Sequence, residues 1–183
     1  MAVRELKYYG ANVLRRPTKP INYIDNQIVR LGLDLIESMY HYNGVGLAGP
    51  QIGISKRICV VDAGKEYQEE PIVLINPVVT KIGGSQTGNE GCLSLPELFL
   101  PVTRPKYVTI KAINLKGEDF YVEAEDLLAR ALLHEIDHLN EKLFIDYVED
   151  KSLLEEEIPK LKERINKILK GERYEVQTIE NKN

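Results

Sequence analysis

The chain has 183 residues, which is enough for one domain with a sizeable hydrophobic core. Hydrophobic residues make up 43% and charged residues 28%, a balance that is typical of globular proteins and argues against a largely disordered chain. The formal net charge of −4 argues against DNA binding, and no apolar run is long enough to span a membrane.

The start of the chain, MAVRELKYYG, is polar and lacks the apolar segment of a signal peptide, so we expect a cytoplasmic protein. We expect a single domain over residues 1–183, with a polar tail that frays over residues 174–183. The two cysteines are too few for a disulfide framework. Cys59 lies in the short apolar run RICVVDA, and we interpret it as a thiol buried in the core.

The first predicted element is a helix over residues 25–40. Asp25 is a candidate N-cap, and the apolar residues that recur at helical spacing are Ile28, Leu31, Leu35 and Met39. We interpret His41, near its end, as a surface residue. The turn residues Asn43 and Gly44 end this helix, and the glycine-rich segment GVGLAGPQIG that follows is predicted to be a loop.

The middle of the chain is predicted to be rich in strands. The segments KRICVVDA and PIVLINPVVTKI are typical of buried strands, whereas GGSQTGNEGCLSLPE is predicted to be irregular, with Cys92 on a loop. The segment KYVTIKAINLKGEDFYVEA alternates apolar and polar residues and breaks at Lys116-Gly117, which predicts a hairpin.

A second helix is predicted over residues 125–140, EDLLARALLHEIDHLN, and it is apolar nearly all round, which indicates burial. The segment KLFIDYV is predicted to be a short strand. Ser152 and Glu155 form a candidate capping box of a last helix, which Pro159 should interrupt and Gly171 should end. This order of elements predicts an α+β fold in which antiparallel strands surround a central buried helix that carries HEIDH.

The HEIDH segment predicts a metal site. His134 and His138 are four residues apart and share one helix face, so both can reach one ion, while Glu135 can contact a ligand of that ion. Two histidines that merely pack are the alternative. That alternative is weak because the chain has only three histidines, and burying two imidazoles and a carboxylate without a purpose is costly.

The third metal ligand has two sets of candidates. The downstream carboxylates would suit a peptidase that cleaves internal peptide bonds, but they lie in a charge-rich stretch that is more typical of a solvated helix face: Glu155, Glu156, Glu157 and Glu163. Cys92 lies upstream and offers a soft thiolate in a turn-rich segment. A Cys-His-His site with one open position is chemically coherent.

Three motifs, GVGLAGPQIG, EGCLSLPE and HEIDHL, resemble in this order the motifs of the peptide deformylase family. The similarity begins at GANVLRRPTKPI and ends at LFIDYV, and the short spacers resemble the bacterial type 1 group. The resemblance implies an α+β enzyme, a metal-dependent hydrolase that removes the N-formyl group from the N-terminal formylmethionine of nascent polypeptides. A non-catalytic ribosome-binding relative is the alternative, and the intact motifs argue against it.

The resemblance also implies the residues of the reaction. Three residues would bind the metal: Cys92, His134 and His138. Glu135 would be the catalytic acid and base, and the Gln51 amide and Leu93 backbone N–H would polarise the formyl oxygen. Glu90 and Arg104 would form a supporting ion pair.

The resemblance implies a substrate site as well. Substrate-binding positions on the glycine-rich and cysteine motifs would be Gly46, Glu90 and Gly91. A pocket for the methionine side chain would be lined by Val45, Leu127, the stem of Arg130, and Ala131, although a core position is an alternative for the apolar residues among them.

Three positions depart from the family pattern. Gly49 stands where alanine is usual and could loosen the segment that carries Gln51, because glycine has more backbone freedom. Leu133 replaces a common glutamine and makes the helix more apolar. Gly88 stands where some members have a bulky apolar residue, which changes the expected width of the methionine pocket.

One ion per chain is expected. The donor types suit Zn²⁺, whereas the resemblance implies Fe²⁺ in the cell, with Ni²⁺ or Co²⁺ as active substitutes. Residues 160–173 contain six Lys/Arg and two Glu. The resemblance implies a contact with the ribosome there, and a solvated helix face is the alternative.

Overall fold

Antiparallel strand pairing organises the computed structural model, which describes residues 2–172. The expected fraying of residues 174–183 lies outside the described residues. The helices are α1 (Asn26–His41), α2 (Asp126–Leu139) and α3 (Lys151–Leu169). The strands are β1 (Gly46–Ala48), β2 (Ile58–Val61), β3 (Ile72–Gly83), β4 (Gln86–Cys92), β5 (Leu95–Arg104), β6 (Tyr107–Ile113) and β7 (Asp119–Glu125). Three short 3₁₀ helices cover Asn12–Arg15, Gly49–Ile52 and Phe144–Tyr147.

The strands form two separate sheets. Five strands form an antiparallel sheet in the order β1-β2-β3-β6-β7, and β4 pairs with β5 in a two-stranded hairpin. The predicted hairpin at Lys116-Gly117 is confirmed, because β6 and β7 pair along their whole length. The α+β fold class is also confirmed.

Helix α1 begins as its sequence predicts. The Asp25 side chain accepts a hydrogen bond from the backbone N–H of Ile28 at 2.9 Å, which satisfies an amide that has no partner within the helix. Its apolar side packs in one core cluster with residues of β1, β2 and β3. His41, as predicted, is exposed.

Helix α2 is buried along most of its length, as its apolar composition predicts. Its apolar residues pack in a second cluster against side chains of β2, β3, β6 and β7, and this cluster contains Cys59, which is fully buried as predicted. The other buried residues of α2 are polar or charged: Arg130, His134, Glu135, Asp137 and His138. These residues place ionisable groups in the interior of the molecule.

Helix α3 closes a third cluster, in which Leu161 and Ile165 pack with Phe144 and with apolar residues of β5. Pro159 lies inside this continuous helix, so the predicted interruption is wrong. Proline removes one backbone hydrogen bond, and the packing of the following turns holds the helix together. Gly171 adopts the left-handed backbone conformation just after the helix, which confirms it as the stop.

Two other local predictions are wrong because the segments concerned pair with neighbouring strands. The glycine-rich segment is not a plain loop, since Gly46–Ala48 pairs with β2 and Gly49–Ile52 forms a 3₁₀ helix. The segment predicted to be irregular contains β4 and the start of β5. Both segments carry residues of low strand propensity, and pairing with a neighbouring strand outweighs that propensity.

Two predictions near the C-terminal helix are also wrong. KLFIDYV forms a 3₁₀ turn rather than a strand, and the Asp146 side chain accepts a hydrogen bond from the Leu143 backbone N–H at 2.9 Å. The cap of α3 is Asp150 rather than Ser152, because its carboxylate accepts from the Ser152 backbone N–H at 3.0 Å. No helix of the described part of the chain is long and apolar enough to cross a membrane.

Candidate metal centre

The fold brings together the three residues that the motifs single out as metal ligands. Cys92, His134 and His138 each offer one donor atom, and these atoms lie within 4.8 Å of one another. The Cys92 Sγ lies 3.2 Å from the His138 Nε2, and both histidines are buried. Within residues 2–172 this is the one group of His, Cys, Asp and Glu side chains close enough to hold an ion.

Two different elements supply these donors. Cys92 is the last residue of β4, at the turn into β5, and not part of the open loop that its neighbours predict. His134 and His138 lie one turn apart on α2, and their rings meet edge to face at 5.0 Å. One thiolate and two imidazoles are a donor set that binds transition metals and leaves a coordination position open.

The downstream carboxylates of the peptidase alternative lie elsewhere, on α3. Glu155, Glu156 and Glu163 are exposed to solvent, and Glu157 is half-buried. Lys160 donates to both Glu156 and Glu157, at 2.6 and 2.8 Å. This is the geometry of a solvated helix face, and it favours Cys92 as the third ligand.

Glu135 is buried beside the cluster and only partly satisfied. Its Oε2 has no hydrogen-bond partner among the residues that the structure describes. A Cβ atom added at Gly46 would lie 2.5 Å from the Glu135 Oε1, so only glycine leaves room for this carboxyl. Burial raises the pKa of Glu135 from 4.5 to about 7.

The Gln51 side chain is oriented by its own turn. Its Oε1 accepts a hydrogen bond from the Ala48 backbone N–H at 2.7 Å, which directs the Nε2 toward the Cys92 Sγ at 3.4 Å. The amide donor therefore faces the group of candidate metal ligands. Gly49 is buried, and an added Cβ would lie 2.8 Å from the Ile54 carbonyl oxygen, so this segment is tightly packed and not loosened as expected.

Glu90 is the buried hydrogen-bonding centre beneath the cluster. Arg104 donates to both of its oxygens, at 2.8 and 2.9 Å, which confirms the expected ion pair. His134 Nδ1 lies 3.1 Å from the Glu90 Oε2. Burial raises the pKa of Glu90, but the hydrogen bonds from His134 and Arg104 outweigh burial and lower that pKa to about 2. An ionised Glu90 accepts the Nδ1 proton, so His134 keeps its Nε2 lone pair for a metal.

Sequence reasoning missed a second carboxylate in this network. Asp137 accepts hydrogen bonds from Arg104 and from the Tyr147 hydroxyl, the latter at 2.9 Å, and the Arg104 guanidinium lies 4.3 Å from the centre of the Tyr147 ring. The signal was present, because Asp137 is an acidic residue in a helix that its composition predicts to be buried. Its partner Tyr147 lies in a segment that was predicted to be a strand.

The expected pocket residues differ in their accessibility. Val45 and Leu127 are 42% and 40% exposed, which is high for large apolar side chains, and Ala131 is half-buried. Arg130 is only 8% exposed. Its guanidinium points inward and donates to the Glu90 Oε1 at 2.9 Å.

Two residues of the cysteine motif lie close to this cluster in the hairpin. Leu93 follows Cys92 in the turn, and its side chain contacts the backbone at Gly44, where an added Cβ would lie 2.7 Å from the Leu93 Cδ1. The Phe99 ring covers Gly91, where an added Cβ would lie 2.3 Å from the Phe99 Cε1. A larger residue at Gly44 or Gly91 would therefore have to displace the Leu93 or Phe99 side chain.

The chain is similar to known proteins over most of its length. The family model described as polypeptide deformylase matches residues 3–153. The chain is 51% identical over 146 residues to a peptide deformylase of Clostridium botulinum, which covers 80% of this chain and 97% of that relative.

Solved structures are similar over most of the chain. The crystal structure of peptide deformylase from Thermotoga maritima superposes with a TM-score of 0.77 and 40% identity, covering 81% of this chain and 99% of the other. The crystal structure of a peptide deformylase from Legionella pneumophila superposes with a TM-score of 0.85 and 37% identity, covering 94% and 100% of the two chains.

Replacing Cys92 tests the ligand set. We expect Cys92→Ala to lose most of its metal on dialysis, because two imidazoles alone bind an ion far more weakly than a complete site. The measurement is metal content per chain by elemental analysis. Cys59→Ala is the matched control, since it removes the other thiol, and it should keep one ion. Full metal content in Cys92→Ala would move the third ligand to another residue.

Proposed function

Since the chain belongs to the polypeptide deformylase family, we propose which of its residues carry out the family's reaction. The protein is a metal-dependent hydrolase that removes the formyl group from the N-terminal formylmethionine of nascent polypeptides. The observation that carries the assignment of its site is the meeting of Cys92, His134 and His138 beside the buried carboxyl of Glu135.

We assign Cys92, His134 and His138 as the ligands of one ion per chain, which we propose to be Fe²⁺ in the cell. A metal ion bound there supplies a Lewis acid, which polarises the formyl carbonyl and makes water a stronger nucleophile. Glu90 holds the His134 ring by its Nδ1, so that the Nε2 would be left to bind an ion.

Glu135 is the proposed acid and base. Its partly unsatisfied carboxyl lies next to the cluster without belonging to it, which suits a group that takes a proton from water and returns it to the departing amine. The Gly46 backbone leaves open the space that this carboxyl needs.

Gln51 and the Leu93 backbone N–H are the proposed donors to the formyl oxygen. The Gln51 amide is fixed by the Ala48 backbone N–H, so no reorientation is needed when negative charge develops on that oxygen. Gly46, on the edge strand β1 of the five-stranded sheet, and Gly91, on strand β4 of the hairpin, are proposed to bind the peptide backbone. Glu90 contributes to this substrate site indirectly, by orienting the His134 ring.

The methionine pocket is proposed to be lined by Val45, Leu127, Ala131 and the stem of Arg130. The exposure of Val45 and Leu127 supports this, because apolar side chains that a substrate covers must be accessible before it binds.

The basic part of α3 is proposed to contact the ribosome, where nascent chains emerge, and we place the enzyme in the cytoplasm. Lys162 on this helix and Lys170 at its C-terminal cap are exposed, whereas Lys160 forms ion pairs with Glu156 and Glu157. Exposed lysines of this kind are suited to phosphate groups of RNA.

Formyl-Met-Ala-Ser and acetyl-Met-Ala-Ser together test the activity. We expect the formyl peptide to be cleaved faster by about 10²-fold or more, because a site built for a hydrogen on the acyl carbon has no room for a methyl group. The measurement is kcat/KM for each peptide by release of the free amine. Equal rates would indicate a general amidase.

Glu135→Gln tests the proton transfer. We expect the metal content to stay at that of the unmodified chain, while turnover of formyl-Met-Ala-Ser falls by about 10²–10⁴. Glu123→Gln, an exposed glutamate on β7, is the matched control and should keep full activity. Normal turnover in Glu135→Gln would exclude Glu135 as the base.

The identity of the ion is tested by preparing the enzyme with and without oxygen. We expect anaerobic enzyme to contain iron and to be fast, and to lose activity in air as oxygen oxidises Cys92. The nickel form should persist, and the zinc form should be stable but slower. Metal analysis, turnover and mass spectrometry of the Cys92 peptide are the measurements. Equal, air-insensitive activity of the zinc and iron forms would contradict an iron enzyme.

Ribosome binding is tested by neutralising exposed lysines rather than by removing α3, because Leu161 and Ile165 of that helix belong to the core. We expect Lys162→Gln combined with Lys170→Gln to weaken binding and to reduce its dependence on salt. Lys116→Gln, in the β6–β7 turn, is the control. Binding that does not respond to salt would contradict the proposal.

A further inference from the structure

The Arg130 guanidinium lies between α2 and the β4–β5 hairpin, and we propose that Arg130 is a positioning residue of the metal centre. It holds α2 against the hairpin and, with Arg104, fixes Glu90 so that His134 keeps its orientation. The inference rests on the proposed metal site, but its main readout is metal affinity, which is independent of any substrate.

One guanidinium contacts four acceptors on two strands. Its Nη1 donates to the Glu90 Oε1 at 2.9 Å, to the Val102 carbonyl at 3.0 Å and to the Gly88 carbonyl at 3.3 Å. Its Nη2 donates to the Gln86 carbonyl at 3.3 Å. Arginine thus joins α2 to both strands of the hairpin, with a planar group that lysine cannot reproduce.

The metal centre requires such a connection because its ligands lie on both sides of this interface. Cys92 belongs to the hairpin, and His134 and His138 belong to α2. The hairpin is not part of the five-stranded sheet, and no backbone hydrogen bond of the described chain joins α2 to β4 or β5. The relative position of the ligands therefore depends on side chains.

Glu90 shows what the loss of Arg130 would change. Its Oε1 accepts from Arg104 and Arg130, and its Oε2 accepts from Arg104 and His134. Without Arg130, the Oε1 keeps only the Arg104 donor, which lies on the hairpin, so that His134 alone ties the carboxylate to α2. The partner that orients the His134 ring would then be fixed less firmly relative to α2.

Gly88 provides the space for the guanidinium. An added Cβ at Gly88 would lie 3.4 Å from the Arg130 Nη2 and 3.7 Å from its Cζ. These are ordinary van der Waals distances, so alanine fits. Atoms beyond the Cβ of a larger residue would meet the guanidinium. A bulky residue at 88 is therefore incompatible with this conformation of Arg130. Gly88 thus affects the position of Arg130 as well as the width of the methionine pocket.

A positioning residue and a pocket residue make opposite predictions. If Arg130 only lined the methionine pocket through its stem, Arg130→Met would keep that stem apolar and leave metal affinity unchanged. If Arg130 positions the ligands, Arg130→Met should weaken metal binding even though the stem is preserved.

The experiment measures the Kd of Co²⁺ by competition with a chelator, together with the Co²⁺ absorption spectrum. We expect Arg130→Met to raise this Kd by about 10–100-fold and to change the spectrum, with Arg130→Lys in between. In the metal-saturated enzyme kcat should fall and KM for formyl-Met-Ala-Ser should stay within about twofold.

Arg57→Met is the matched control. Arg57 also bonds the C-terminal end of α2, through the Leu139 carbonyl at 3.2 Å and the Asn140 side chain at 2.9 Å, but none of its hydrogen bonds within residues 2–172 reaches the hairpin. It should keep the Co²⁺ affinity of the unmodified chain.

Changing Gly88 tests the same interaction from the hairpin side. We expect Gly88→Ile to displace the guanidinium and to weaken Co²⁺ binding as Arg130→Met does, while Gly88→Ala should bind normally. Gly88→Ile also decides the outcome if Arg130→Met fails to fold, which circular dichroism reports.

Unchanged Co²⁺ affinity in folded Arg130→Met, or in Gly88→Ile when Arg130→Met does not fold, would overturn the inference. A raised KM with unchanged metal affinity would also overturn it and assign Arg130 to the pocket alone. Failure of the proposed site is a separate result, since Cys92→Ala would then bind Co²⁺ as tightly as the unmodified chain.

Discussion

The proposed metal centre depends on one buried, ionised carboxylate. Glu90 lies between the hairpin that carries Cys92 and the helix that carries both histidines, and an isolated charge in such a place would cost several kcal/mol. Donors from three side chains, Arg104, Arg130 and His134, make the charge tolerable. The loss of one partner of a buried ion pair costs about 3–5 kcal/mol. The donors and the carboxylate therefore hold one another in position. The ligand geometry is thus secured by the same contacts that make the interior charge acceptable.

Two glutamates in this site show how partners decide chemistry. Glu90 and Glu135 are each 4% exposed, so burial alone would raise both pKa values. The pKa of Glu90 is lowered to about 2 because His134 and Arg104 donate to it, whereas burial raises the pKa of Glu135, which has an unpaired oxygen, to about 7. One carboxyl is therefore ionised near neutral pH and orients the ring of His134. The other is a group that exchanges protons more readily, which suits its proposed role as acid and base.

The sequence predicts the elements whose signals are local. Helix α2 follows from a segment that is apolar nearly all round, and the β6–β7 hairpin follows from alternating apolar and polar residues. The two histidines four residues apart predict two of the three candidate ligands. Strands β1 and β4 were missed because their glycine-rich segments become strands only through pairing with β2 and β5. Arg130 was placed in the pocket by its stem, since a sequence does not say where a long side chain directs its charge. The choice of Cys92 as third ligand was chemical, and the structure supports it through the 3.2 Å distance from its Sγ to the His138 Nε2.

The contacts between α2 and β4 follow a common register. The carbonyl of Asp126 accepts from Gln86, Arg130 donates to the carbonyl of Gly88, His134 contacts Glu90, and Cys92 contacts His138. Each step is four residues along the helix, a rise of about 6 Å, and two residues along the strand, a rise of about 6.8 Å. The two repeats nearly match, so the helix face that bears the histidines runs beside the strand face that bears Glu90 and Cys92. The small difference adds up over successive steps, and the long side chains of Gln86 and Arg130 lie at the far end, where they can span it. The proposed ligands Cys92 and His138 lie at the other end, where strand and helix meet closely enough for their donor atoms to be 3.2 Å apart.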